Sequence, residues 1–516
     1  MSAPHRSLRS PARLLRVGAG AAAVAALVAS CTLLIERRGT QCDTDADCSA
    51  WKGAACDTTQ HICVDEACAG GDCVCDPKTP TDILNACPKV PCTPFDLGRV
   101  PGLSPDGGLP DHDDDAGTPP GPSYDCTSAD AGTGGTGGAA PLPDCGGAAA
   151  EKLYIVGPDS IKPLLAWVAH LYENDGLRVI FQANSSCTAV ELMYVPTKEL
   201  EWGATEFKTW YFDGAGNEHL CSIPAAGTRP DIGLSDVFPQ TCGFNTSGTD
   251  QAVVDTPGPV QAMGFIVPKN EASKQTSISA EAAYMIYGTG AEEASVAPWT
   301  DTRYVFQRSK SSGTQRLIAT TLGLDPAAFH GTTNNGSDHE AALVGCSPEP
   351  DKTLGILAVD IVQHEIQPIR LLAYQHYKQS CAYYPDSSEA ANDKRNVRDG
   401  KYFIWGAIHM LTRKDASHPR AAELINYVSG IVPPPADEPV DIFQSWAEAH
   451  LVPQCAMRVR RTSDSGPLEA YNPPVSCYCK YDEATTGSSD CTKCKSASDC
   501  PADHPTCSPF GFCEPK

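Results

Sequence analysis

Twenty-five cysteines, unevenly placed along 516 residues, constrain this chain more than any other feature. Eleven lie between Cys42 and Cys145 and eight between Cys455 and Cys513; only Cys187, Cys221, Cys242, Cys346 and Cys381 fall in the long middle. Thiols at this density belong to an oxidising compartment, where they pair as disulfides. The two ends share a repeat: Cys42, Cys48, Cys56 and Cys63 are separated by five, seven and six residues, and Cys494, Cys500, Cys507 and Cys513 by five, six and five. An Asp precedes the second Cys of each set, Asp47 and Asp499. Units this short cannot enclose a core without cross-links, so each reads as a small knot with its disulfides internal. The zinc alternative rests on Cys491-Thr492-Lys493-Cys494, which has no matching second pair.

The first thirty residues read as an export signal. Arg6, Arg9, Arg13 and Arg16 form a basic region, and the apolar run from Val17 to Ser30 is too short to span a bilayer comfortably. Leu27-Val28-Ala29-Ser30-Cys31 resembles a bacterial lipobox, which implies lipidation of Cys31 and anchoring to the membrane. Thr32, where an Asp would resemble an inner-membrane retention signal, leans toward the outer membrane of a Gram-negative-type envelope. Residues 97–149 are dominated by Gly, Pro, Asp and Ala and read as a tether, pinched locally by Cys126 and Cys145. The formal net charge of −24 excludes nucleic acid as a default partner. It does not exclude a small anion, because the long-range field is screened within roughly 8–10 Å at ordinary salt.

Residues 150 to about 440 alternate strand-like and helix-like patterns, the signature of an α/β domain. Lys152–Val156, Arg178–Gln182 and Asp231–Leu234 read as strands. Each is followed by a turn with small hydroxyl residues, at the place where open α/β sheets bind ligands. A fourth segment, Arg308-Ser309-Lys310-Ser311-Ser312-Gly313-Thr314, sets a guanidinium four residues before a Ser-Gly-Thr turn that opens a helix-like run, Gln315 to Gly323. A bidentate cation, small hydroxyls and a glycine at a helix start are the parts that anion capture needs.

Taken in order, these segments resemble the phosphate-binding protein of the bacterial high-affinity phosphate ABC transporter, over roughly residues 150–410. The resemblance implies two α/β lobes joined by a hinge, a phosphate-type anion as ligand, an ABC permease as partner, and no cofactor. It places ligand contacts on Asp159 and Ser160 in Val156-Gly157-Pro158-Asp159-Ser160, and on Ser186 in Ser185-Ser186-Cys187-Thr188. It places others on Asp236 in Gly233-Leu234-Ser235-Asp236, and on Arg308, Ser312, Gly313 and Thr314, where the Arg-x-x-x-Ser-Gly-Thr spacing is identical. Met263–Asn270 resembles the strand that crosses to the second lobe, Pro298–Asp301 the Trp-Asp element, and Asn396–Trp405 the return to the first lobe. The chain departs from the family at Asp159, which stands where a Thr hydroxyl is expected; at Lys310, which replaces the acidic partner of the arginine; and at Cys187-Thr188-Ala189, which replaces glycines. Two carboxylates facing one phosphate repel it. Asp159 therefore either turns away to cap its own helix or faces an anion that carries an extra proton or is not phosphate.

The resulting organisation is a signal peptide (1–30), a cysteine-rich module (31–96), a linker (97–149), a binding domain (150–445; lobe I 150–257 and 368–445, lobe II 258–367) and a cysteine-rich C-terminal module (446–516). Cys221 with Cys242 and Cys346 with Cys381 are the pairs expected within the domain, and Cys187 reads as a half-cystine. Arg398-Asp399 reads as a surface turn, and Asp338-His339-Glu340 as complementation of a helix dipole. No HExxH or G-x-S-x-G pattern points to an enzyme. The competing reading is a surface adhesion or scaffold lipoprotein that reuses the lobed fold without a ligand.

Overall fold

The computed structural model describes residues 151–514 apart from 204–207, 224–225, 245–251, 270–272, 335, 364–367, 416–417, 431–440 and 503. Before them it describes shorter stretches, chiefly 54–57, 62–65, 73–74, 77–87, 92–104, 107–110 and 142–147. Cys31 and most of the Cys42–Cys63 repeat lie outside the described residues. Two units are distinguished. The first holds residues 1–75 and 87–89, with a hairpin of Ala54–Asp57 against Ile62–Asp65 and a Cys73–Cys87 disulfide. The second holds residues 76–86 and 90–516.

The second unit is a mixed α/β fold built on one long sheet. Its strands are β1 (Glu151–Gly157), β2 (Leu177–Ala183), β3 (Thr209–Phe212), β4 (Glu218–Leu220), β5 (Ile232–Ser235) and β6 (Val253–Pro268). Further along the chain come β7 (Phe306–Arg308), β8 (Thr332–Asn334), β9 (Gly355–Ala358), β10 (Ile369–Leu371) and β11 (Trp405–Arg413). Spatial order in the sheet is β9-β6-β11-β5-β1-β2-β3-β4, with β10 also on β6. β1 pairs in parallel with β2 and β5, so the carboxyl ends of all three emerge at one edge.

The 16-residue strand β6 serves both halves of the domain. Its first part pairs with β11 and its last part with β9 and β10, each antiparallel. Residues 260–268 of β6 are buried, as their near-continuous apolar run requires. Parallel strands β7 and β8 continue the second half through a Val305–Leu354 bridge next to β9. Helices α1 (Lys162–Asn174), α2 (Ser186–Tyr194), α3 (Gly313–Leu322) and α4 (Ser337–Gly345) follow β1, β2, β7 and β8. On α1, Leu164, Leu165, Val168, Ala169 and Tyr172 form the buried stripe, at helical spacing.

Several expectations are corrected. Cys221 bonds Cys145 and Cys242 bonds Cys187; Cys346 bonds Cys126 and Cys381 bonds Cys92. Cys126 and Cys145 therefore tie the preceding segment to the domain rather than pinching it locally. Part of that segment is packed: Val100 is buried, and Arg99 lies over the buried Phe95, just before the segment, and the buried Trp299. Tyr124 donates to the Leu343 carbonyl at 2.7 Å. Composition understated this, because a few aromatic and aliphatic anchors suffice to seat a Gly/Pro-rich segment on a preformed surface.

Arg398 is not in a surface turn. It is fully buried, ion-paired to Asp482 of α5 (Tyr478–Thr486), and 3.9 Å from the Tyr478 ring. Arg458 stands at the same 3.9 Å distance from that ring. The C-terminal residues thus share the domain's core, contributing Leu451, Val452, Met457, Val459, Leu468 and Tyr481. Val452 bridges Val260 of β6. Asp464 accepts the Phe238 N–H at 2.8 Å, and the Ser465 hydroxyl meets Thr321 of α3 at 2.6 Å, so adjacent residues grip both halves. At the end of the chain Cys494–Cys507 and Cys500–Cys513 are bonded, within the repeat as expected, next to Cys479–Cys491 and Cys455–Cys477. Cys494, Cys500 and Cys507 come close enough for a metal, but all three sulfurs are taken up in disulfides.

Candidate functional site

The turns after β1, β2 and β5 converge on one carboxylate. Ser185 caps α2, accepting the Thr188 N–H at 3.3 Å, which frees the Ser186 hydroxyl from capping. Ser186 is completely buried. It donates to Asp236 Oδ2 at 3.1 Å and accepts the Asp236 N–H at 3.2 Å. From the 3₁₀ turn Asp159–Ile161, Ser160 donates to Asp236 Oδ1 at 3.3 Å. Asp236 is buried, and burial pushes its carboxyl up to about 6; the two serines oppose the shift, Asp159 adds to it and Arg308 offsets part. The Cys187–Cys242 disulfide clamps the first turn of α2 to the segment after Asp236.

The second half supplies Arg308 and the start of α3. Gly313 is pressed against the first half: a Cβ there would lie 2.3 Å from Ser186 Oγ and 2.7 Å from Asp236 Oδ2. The Cys187 N–H donates to the Ser311 carbonyl at 3.2 Å, so the halves meet at this point. Ser312 is the N-cap of α3, but its hydroxyl makes no capping bond. The Thr314 hydroxyl turns to Met263 Sδ at 3.5 Å, away from the role of a ligand donor. Lys310 is exposed.

Arg308 is buried and held by α4. Its Nη1 donates to Ser337 Oγ, and its Nε lies 3.7 Å from Glu340 Oε2. Glu340 is thus a buried partner of Arg308 and more than dipole complementation. It is fully buried, and its other oxygen accepts the Ile356 N–H at 2.9 Å. Burial pushes its carboxyl up to about 7, against the pull of Arg308 and that N–H. Buried Asp360 accepts from Gln261 Nε2 at 2.8 Å; burial, with Asp236 adding to it, raises Asp360 to about 7.

Asp159 does not cap a helix: the turn it opens has Pro158 at its N-cap and no side-chain capping bond. It is exposed, yet protein mass around it raises its carboxyl; Lys162 opposes this, Asp338 adds to it and Arg308 opposes it. Of the eight ligand positions read from the sequence, Ser160, Ser186, Asp236 and Gly313 lie within one hydrogen-bonded or contacting cluster. Asp159 and Arg308 couple electrostatically to it. Ser312 adjoins it in sequence at the α3 cap, and the Thr314 side chain points elsewhere. Sequence reasoning missed Ser337, Glu340, Asp360 and Gln261. Ser337 and Glu340 sit at i,i+3 on one helix, and that spacing was the available signal.

No family model and no curated protein matches this chain. Solved structures resemble it distantly. A Clostridium perfringens protein assigned as a phosphate ABC transporter substrate-binding protein, with phosphate bound, is 13% identical at a TM-score of 0.39 over 59% of this chain and 99% of its own. An ABC-type phosphate transport receptor from Vibrio cholerae is 13% identical at 0.35, over 54% and 93%. PstS from Borrelia burgdorferi is 15% identical at 0.33, over 59% and 98%.

Proposed function

We propose that this protein captures a phosphate-type oxyanion in the cleft between its two halves, without turning it over. The observation that carries this reading is the placement of Asp236: a buried carboxylate fixed by two serine hydroxyls, directly beneath the glycine that opens α3, with Arg308 coupled to it. Asp236 would accept a proton from the ligand. The first N–H groups of α3 and the Ser312 hydroxyl would donate to it, and Arg308 would supply charge from a guanidinium already steadied by Ser337 and Glu340. Because Ser160, Ser186 and Asp236 come from one half and Arg308 and Gly313 from the other, binding would be linked to closure.

The wider reading is of an envelope protein anchored through a lipidated Cys31, acting as a receptor for an ABC importer or as a sensor. It rests on the sequence signals at the N-terminus and on the Arg-x-x-x-Ser-Gly-Thr resemblance. Calorimetric titration of the purified chain with phosphate and with sulfate tests the binding function. Phosphate is expected to bind one per chain, and sulfate roughly 100-fold more weakly or worse, since a fully ionised anion leaves Asp236 facing an acceptor. Absence of phosphate binding at millimolar concentration would overturn the proposal.

A further inference from the structure

We propose that a disulfide-closed hairpin near the C-terminus is a latch on the cleft: it joins the two halves through protein contacts alone, and anion entry and exit wait on its release. The inference rests on the anion-binding reading for what passes through the cleft, and adds the element that controls its opening.

The Cys455–Cys477 disulfide closes a loop with a separation of 22 residues. Within it Val459–Arg460 pairs antiparallel with Glu469–Ala470, and the Tyr471 N–H donates to the Arg458 carbonyl at 2.7 Å. The tip, 461–468, is therefore held at its feet by a covalent bond and a short ladder. Arg461 Nη2 donates to the Phe403 carbonyl at 3.1 Å, and the guanidinium lies 4.5 and 4.0 Å from the ring centres of Phe403 and Trp405, at the start of β11. Asp464 is buried and seats the tip on the first half: its Oδ2 accepts the Phe238 N–H at 2.8 Å and the Thr241 hydroxyl at 2.5 Å. Ser465, the next residue, reaches the second half, where it meets the Thr321 hydroxyl of α3 at 2.6 Å. Thr321 donates its own proton to the Leu317 carbonyl at 2.8 Å, so Ser465 is the donor.

Two further contacts run from α3 and the loop before it to the first half. Arg316 Nη1 donates to the Thr241 carbonyl at 3.1 Å, while its Nε is held by the Lys310 carbonyl at 2.6 Å. The Cys187 N–H donates to the Ser311 carbonyl at 3.2 Å. Thr241 joins the system together: its carbonyl accepts from the second half, its hydroxyl donates to the hairpin, and Cys242 beside it is bonded to Cys187. Residues 311, 316 and 321 thus tie the second half across from the start of α3 to its last turn. Because the hairpin is seated on the first half through Asp464, a hinge motion that parts the halves breaks the contacts of Ser311, Arg316 and Thr321 together. Each bond is modest alone, but losing three at once keeps the open form rare.

The test is amide hydrogen exchange on the full chain, with and without inorganic phosphate, together with stopped-flow phosphate binding followed by tryptophan fluorescence. The Cys187 N–H reports opening, since its acceptor lies in the other half; the Phe238 N–H reports seating of the hairpin. Both are expected to be protected in the parent without phosphate, and phosphate is expected to add no more than about threefold. Ser465→Ala combined with Arg316→Ala is expected to speed exchange at Cys187 roughly tenfold and to raise the phosphate association rate by a similar factor, with Phe238 still protected. Thr321→Val, a milder change, should move both readouts the same way by a smaller factor. Unchanged exchange in β1 and β6 separates opening from a general loss of stability. If the Cys187 amide exchanges freely in the parent and is protected only by phosphate, the ligand closes the cleft and the latch is overturned. If exchange and association rate are the same in the parent and all variants, the latch is again overturned. If the amides behave as expected but phosphate binds to none of the proteins, the hairpin holds the halves and the anion-binding reading is what has failed.

Discussion

Gly313 is packed directly against Asp236: a Cβ on Gly313 would fall 2.7 Å from Asp236 Oδ2, with Ser186 Oγ only 2.3 Å away. Neither neighbour can retreat without breaking the Ser186–Asp236 hydrogen bonds. Gly313→Ala is therefore expected to weaken phosphate binding by roughly 1–3 kcal/mol, the usual scale of an overpacked contact. Calorimetry against the parent checks it, and unchanged affinity would mean that the halves do not close as described.

Arg308→Ala removes the guanidinium from a buried carboxylate as well as from the ligand. Affinity is expected to fall by roughly 2–5 kcal/mol. Glu340, already held up near 7 with Arg308 present, should become harder still to ionise. Adding Glu340→Gln to Arg308→Ala should recover part of any stability the first substitution costs, without recovering affinity. Denaturant midpoints and titrations on the two variants separate the effects.

Asp236, Glu340 and Asp360 all have carboxyls raised by burial, to about 6, 7 and 7. The folded ligand-free protein then holds more protons than the unfolded chain between about pH 4 and pH 7. Stability from these groups is present at the acidic end of that window and is lost as pH rises through it. The unfolding midpoint in urea is expected to be higher near pH 5 than near pH 8, and Asp360→Asn should reduce the difference. A midpoint that rises with pH would contradict these assignments.

Arg398 and Asp482 form a buried ion pair that joins the segment before β11 to the C-terminal helix α5. Removing one partner strands the other, so Arg398→Ala is expected to cost roughly 3–5 kcal/mol. If the C-terminal residues were an independent module, chemical denaturation would show little change in the main transition.

Non-reducing peptide mapping should recover Cys187–Cys242, Cys145–Cys221, Cys126–Cys346 and Cys92–Cys381. Replacing both Cys187 and Cys242 by Ser opens a loop with a separation of 55 residues. Chain entropy puts the cost at about 4 kcal/mol. Phosphate affinity is expected to fall as well, because this bond holds the turns carrying Ser186 and Asp236 together.

Local pattern alone determined much of this protein. The three strand-turn units at Asp159, Ser186 and Asp236 and the Arg308 loop were legible because hydrophobic periodicity and turn chemistry are encoded within a dozen residues. The C-terminal disulfides within the repeat were legible for the same reason. What only tertiary structure decided was set by encounters between distant residues. Cys187 pairs with Cys242, and Cys221 with Cys145 rather than with Cys242, because sheet order rather than chain spacing brings their Cα atoms to 5.2 and 4.8 Å. Arg398 was buried by a helix that begins eighty residues later, at Tyr478. Glu340 became the partner of Arg308 because β7 and β8 lie side by side, which delivers the helix after β8 to the end of β7. A charge in a sequence shows its sign, but its partner and its solvent exposure exist only once the chain has folded.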